Sequence, residues 1–133
     1  MWAAERQRQP SVCVIVPARP PAPGLRRVID KLMAQRYDGT MEVLVVVDGP
    51  GDIAGIPEPP SLSGTLCRAL CTIANTQEPG LEGATRTGRM AAEAELVVYC
   101  RADEEWPPDR LREVVLRRFV GRGSVQVPRR VNG

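Results

Sequence analysis

The chain has 133 residues, a formal net charge of +2 and no histidine. That length suits one domain with a real core. The near-neutral charge argues against nucleic acid or a membrane surface as the main partner, and the missing histidine excludes His-based triads and His metal ligands.

Residues 1–10 (MWAAERQRQP) are charged and lack the apolar stretch of a signal peptide, so they read as a flexible N-terminus. Ser11 to Val16 (SVCVIV) is apolar on both faces, as a central parallel strand is, and is expected to stop at Pro17. The proline-rich PARPPAPG forms a loop. Leu25, Val28, Ile29, Leu32 and Met33 then recur at helical spacing, with Arg26, Arg27, Asp30 and Lys31 on the wet face and Asp38-Gly39 closing the segment. Met41 to Val47 (MEVLVVV) is a second buried strand, closed by DGPGD. Strand, helix and strand with short connections predict a βαβ unit with parallel strands.

Ile53 to Gly64 is rich in Pro, Gly and Ser and reads as loop. Within LCRALCTIAN, residues Cys71 to Ala74 are expected to form a short strand, although a helix fits the spacing too. A helix follows from about Glu82 to Ala92, where Ala84, Gly88, Ala91 and Ala92 offer a small-residue face for close packing on a sheet. Glu95 to Cys100 (ELVVYC) is the third strong strand. Pro107 and Pro108 suit the first turn of a last helix, Asp109 complements its dipole, and Leu111, Val114, Val115 and Phe119 form its stripe. A short strand at Ser124 to Val127 lies in a C-terminal loop or tail, 121–133, so that the domain proper is 11–120.

Cys13, Cys67, Cys71 and Cys100 make no C-x-x-C pair, and Cys13 and Cys100 sit inside apolar runs, as buried reduced thiols in a cytoplasmic protein do. No window approaches the roughly 18 apolar residues of a transmembrane segment. The alternation of elements predicts an α/β domain with a mostly parallel sheet, whose ligands bind beyond the carboxyl ends of the strands. Those ends carry Pro17-Ala18-Arg19, Asp48-Gly49-Pro50-Gly51-Asp52 and Arg101-Ala102-Asp103, which suit a nucleotide-sized anion. No glycine-rich phosphate loop follows the first strand, which disfavours other α/β nucleotide binders such as nucleotidyltransferases.

In register, VCVIVPARPPAPGLRRVIDKLMAQRYDG, MEVLVVVDGPGD and ANTQEPGLEGATRTGRMAAEAELVVYCRADEEWPPDRL resemble the N-terminal, nucleotide-sugar-binding half of family 2 (inverting) glycosyltransferases. The likeness covers Ser11 to Phe119. It implies a Rossmann-like sheet of GT-A type, truncated relative to the full family domain. It also implies a nucleotide-sugar donor, expected to be a UDP-sugar, an unidentified acceptor hydroxyl, and a divalent cation (Mg2+ or Mn2+) shared between an Asp-x-Asp loop and the diphosphate.

The residues that the resemblance marks for the nucleotide are Pro17, Ala18, Arg19, Asp48, Asn75, Arg86, Arg101 and Ala102, with Asp103 as the metal ligand and Trp106 as the aromatic that follows it. Pro20 and Pro21 replace the family's usual Asn-Glu, Val47 replaces the first of its paired aspartates, and Arg101 replaces the first aspartate of the metal motif. That last change counts against a cation. Arg101 could contact the diphosphate in its place, or simply pair with Glu104 or Glu105. Asp103 could instead cap a helix, Asp48 could be a turn residue, and Arg86 could be a solvated helix arginine. No residue matches the family's general base, which keeps open a non-catalytic relative serving as a nucleotide-binding or interaction module. An exposed sheet edge would favour self-association.

Overall fold

The computed structural model describes residues 9–51 and 68–121. The expected loop at 53–64, the strand at 124–127, Asp52, Cys67 and residues 1–8 lie outside them. Four strands and three helices follow one another as β1 (Val12–Ala18), α1 (Leu25–Met33), β2 (Met41–Val47), β3 (Arg68–Ala74), α2 (Leu81–Ala91), β4 (Leu96–Tyr99) and α3 (Arg110–Gly121). The sheet order is β3-β2-β1-β4, and every pairing is parallel.

Strand parity divides the core. Val12, Val14 and Val16 of β1 pack with Leu25, Val28, Ile29 and Leu32 of α1 and with Leu111 and Val115 of α3. Cys13 and Ile15 face the opposite side, with Leu44, Val46 and Val97, under Ala84 of α2. Both faces of β1 and β2 are therefore covered, and apart from Glu42 their residues are apolar without alternation. Since α1 and α2 lie on opposite faces, the winding reverses between β1 and β4. The loops after those strands flank the crevice where doubly wound sheets take ligands.

The first strand does not stop at Pro17 but runs through it to Ala18. Val12 N donates to Thr40 O, and Ala18 O accepts from Asp48 N, so these residues address β2. Ser11 and Ile15 present their carbonyls to Leu96 N and Cys100 N on the other side. Pro17 shares the parity of Ile15, and the β4 pairs end at Ile15↔Tyr99. Its missing N–H thus removes no bond to β2.

The helix opened by Leu25 ends at Met33, well before Asp38-Gly39. Tertiary bonds claim the residues in between. Gln35 is 2% exposed; its Nε2 donates to Pro107 O (2.8 Å), and its Oε1 accepts from Leu111 N (2.8 Å). Arg36 N donates to Pro108 O (2.8 Å), and the Tyr37 hydroxyl donates to Pro10 O. The α1–β2 connection is therefore bonded to the turn that starts α3. That helix begins at Arg110, so Pro107 and Pro108 stand just ahead of its first turn rather than in it.

Candidate nucleotide site

At the carboxyl ends of β1, β2 and β3 the chain converges on Asp48. Its carboxylate side chain is 8% exposed and accepts from three donors on two segments, the residue after β1 and the loop after β3. Arg19 Nη2 donates to Oδ2 at 2.8 Å, Asn75 Nδ2 to Oδ1 at 3.0 Å, and Gly80 N to Oδ2 at 3.0 Å. The parallel register produces this convergence: Ala18, Val47 and Ala74 are ladder partners, so the next residue of each strand emerges at one level. The bonds Asp48 N to Ala18 O (2.8 Å) and Asn75 N to Val47 O (2.9 Å) extend the ladder by one more rung.

The Arg19 guanidinium, and after it the Asn75 amide, hold the Asp48 carboxyl below the usual carboxylate range; burial opposes them and loses. Asp48 is thus ionised at neutral pH. Gly80 can aim its N–H at the carboxylate because it adopts φ +113°, which L side chains rarely allow.

Arg86, on α2, bonds both Glu78 oxygens through Nη1 at 2.7 Å and draws that carboxyl below its usual range. It therefore braces the 75–80 loop from outside. Its side chain remains 41% exposed, so it is a surface helix arginine held by this ion pair.

Beyond β4 the geometry is looser. The Arg101 and Asp103 side chains are 72% and 82% exposed and pair at 3.5 Å. Arg101 pairs with neither Glu104 nor Glu105 through its side chain, as the sequence allowed. Glu104 Oε1 instead accepts Arg101 N at 3.0 Å and its Oε2 meets Arg110, while Glu105 meets Arg27 at 3.1 Å. Nor does Asp103 cap a helix: α3 begins at Arg110, and the N–H groups of Arg110, Leu111 and Glu113 donate to Pro107 O, Gln35 Oε1 and Asp109 O.

A divalent cation needs several hard oxygen donors. Here a single exposed carboxylate stands beside a guanidinium, the neighbouring glutamates are engaged by arginines, and the described residues contain no group of three or more candidate metal ligands. These residues do not by themselves fit a cation site. Trp106, in contrast, is 3% exposed and anchors the loop to the core, with Arg110 5.6 Å from its ring centroid.

Among the residues marked in the sequence, Arg19, Asp48 and Asn75 share one bonded cluster, and Arg86 supports its rim. Pro17 and Ala18 lie in β1; the Ala18 side chain is core, so only its backbone serves the site. Arg101, Ala102 and Asp103 follow β4 and lie outside that bonded cluster, with Ala102 packed against the core. Sequence reasoning missed Thr87, Gly80 and Gln35. A threonine on the small-residue face of α2, three positions after Ala84, was the available signal for Thr87, since a hydroxyl buried there needs a partner. Of that face, Ala84, Gly88 and Ala92 are buried, whereas Ala91 is exposed.

Residues 13–131 match the family described as Glycosyl transferase family 2, and the chain belongs to that family. Its fold is similar to that of the mannosyltransferase PcManGT from Pyrobaculum calidifontis, solved in complex with GDP-Man and Mn2+. The two are 24% identical with a TM-score of 0.58, over 86% of this chain and 36% of that one. The likeness is one of fold, and the chain spans little more than a third of that mannosyltransferase. No curated protein matches the chain.

Proposed function

We propose that this chain is the donor-binding part of a family 2 glycosyltransferase and takes a UDP-sugar at the carboxyl ends of β1, β2 and β3. The observation that carries the reading is Asp48, a buried carboxylate kept ionised by three donors from the loops after β1 and β3 at the ligand edge of the sheet. A carboxylate has about four acceptor positions. The described donors fill three of them, and Oδ1, which accepts only Asn75, keeps room for a nucleoside N–H or hydroxyl. Arg19, whose side chain is 66% exposed, can leave Asp48 for a phosphate. Arg86 stands near enough through the 75–80 loop to serve the same anion.

On this reading Pro17, Ala18 and Asn75 line the nucleoside, and Arg101 with the Ala102 backbone faces the diphosphate. Arg101 then carries the positive charge that a cation would supply, and Asp103 orients its guanidinium. In the complete protein an acceptor hydroxyl attacks the anomeric carbon, and the nucleoside diphosphate leaves from the opposite face, which inverts the centre. This part of the protein orients the donor and stabilises the charge that grows on the leaving group. The PcManGT complex with GDP-Man and Mn2+ supports a nucleotide-sugar donor of some kind and leaves a cation bound through the diphosphate as the rival to Arg101. A cytoplasmic location fits a UDP-sugar donor, and no helix among the described residues is long and apolar enough to cross a membrane.

Titration calorimetry with UDP, UDP-sugars and GDP-Man, with Mn2+ or with chelator, tests the reading. UDP is expected to bind without metal, and Arg101→Ala to weaken it about tenfold, the loss of roughly 1.4 kcal/mol. No UDP binding at millimolar concentration would overturn the proposal. The bare Asp103–Arg101 pair also favours a second reading, a non-catalytic relative that binds nucleotide only. UDP binding by a full-length protein that turns over no UDP-sugar would select it.

A further inference from the structure

Thr87 sits in the middle of α2, 5% exposed, and its hydroxyl does not turn back onto the helix as buried threonines often do. It donates instead to Asn75 Oδ1 at 2.6 Å and accepts from Thr76 N at 3.1 Å. A hydroxyl has one proton, and Thr76 N–H already occupies its acceptor side, so that proton is directed to Asn75. Gln77 N donates to the same Oδ1 at 2.9 Å. With its oxygen fixed by two donors, the Asn75 amide must present Nδ2 to Asp48 Oδ1 (3.0 Å) and to Glu78 O (3.0 Å). The reversed amide would set its carbonyl against the Asp48 carboxylate.

We propose that Thr87 is a positioning residue for the nucleotide site, fixing the orientation of Asn75 and through it the donor set of Asp48. The packing of α2 makes the reach possible. A Cβ on Gly88 would stand 2.6 Å from Ile15 Cγ2, so the helix lies on β1 at a distance that only glycine permits at that position. For nucleotide affinity the inference rests on the function proposed above; for the ionisation of Asp48 it does not.

The test compares Thr87→Val, close in shape but without the hydroxyl, with Thr87→Ser, which retains it. Thr87→Ala covers the case in which valine prevents folding. Asp48 is titrated by carboxyl carbon NMR, UDP affinity is measured in parallel, and circular dichroism checks the fold. The valine and alanine variants are expected to raise the Asp48 midpoint toward the ordinary carboxylate range and to weaken UDP about fivefold, the scale of one lost hydrogen bond. Serine is expected to retain both. An unmoved midpoint in folded Thr87→Val or Thr87→Ala would overturn the proposal, as would a serine variant that behaves like valine. A raised midpoint in a protein that binds no UDP would uphold the positioning role and defeat the nucleotide reading.

Discussion

Asp48 concentrates the residue-scale chemistry, and its ionisation has a sign that can be checked. Its folded-state value lies below that of an unfolded aspartate, near 4. The stabilisation from its donors is therefore present above that unfolded value and is lost as pH falls through the folded one. Asp48→Asn would turn an amide N–H2 either toward Asn75 or toward Arg19 and Gly80, all of which are donors themselves. Urea denaturation at pH 7 should show a loss of about 1.5–3 kcal/mol, the range for a hydrogen bond to a charged group. The deficit should shrink as pH falls below the unfolded value and through the folded one; a deficit that does not change with pH would assign the effect to packing. The thiols offer a second check at this scale. Burial pushes Cys13 and Cys100 up to about 12, whereas Cys71 is exposed. Iodoacetamide at pH 8, followed by peptide mapping, should label Cys71 in the folded protein and reach Cys13 and Cys100 only after denaturation.

Two contacts between elements bear most on the site. In α2, Gly88→Ala gains helix propensity of about 1 kcal/mol. The new methyl meets Ile15 at 2.6 Å, however, and overpacking of that kind costs about 1–3 kcal/mol. The melting temperature should fall, and UDP affinity with it, because the shift carries Thr87 away from Asn75. A rise in both would mean that the helix has slack. Gln35 is the corresponding joint between the α1–β2 connection and α3, with bonds to Lys31 O, Pro107 O and Leu111 N. Gln35→Ala should cost about 1–3 kcal/mol by urea denaturation, since it orphans a buried N–H and a carbonyl, and should leave nucleotide affinity unchanged.

At the scale of the whole molecule, the parallel sheet was legible because β1, β2 and β4 are β-branched runs with both faces apolar, separated by helical spacing or breakers. Cys71 to Ala74 was harder to read. As an edge strand with Ala69, Cys71, Thr72 and Ala74 exposed, β3 carries no strong apolar signal, and its start at Arg68 is set by backbone pairing with β2. Asp48 could be named from its place after an apolar strand, and Asn75 from the family resemblance. Their mutual bonding could not, because it depends on the register that aligns Val47 with Ala74. Gln35 and Thr87 were harder to see for a related reason: Lys31 O aside, their partners lie 72–76 and 11–12 residues away, and the small-residue face of α2 offered a local hint for Thr87 alone.

The central claim is that a nucleotide docks on the Asp48 cluster at the carboxyl edge of the sheet. Amide chemical-shift mapping of the 15N-labelled chain with UDP tests it most directly, because Gly80 N–H donates to the Asp48 carboxylate itself. Shifts are expected at Arg19, Asp48, Asn75 and Gly80, with smaller ones at Arg101 and Ala102. Shifts confined instead to the cleft of about 210 Å³ between Arg27, Lys31 and the Asp103–Glu105 loop, or no shifts at all, would contradict it.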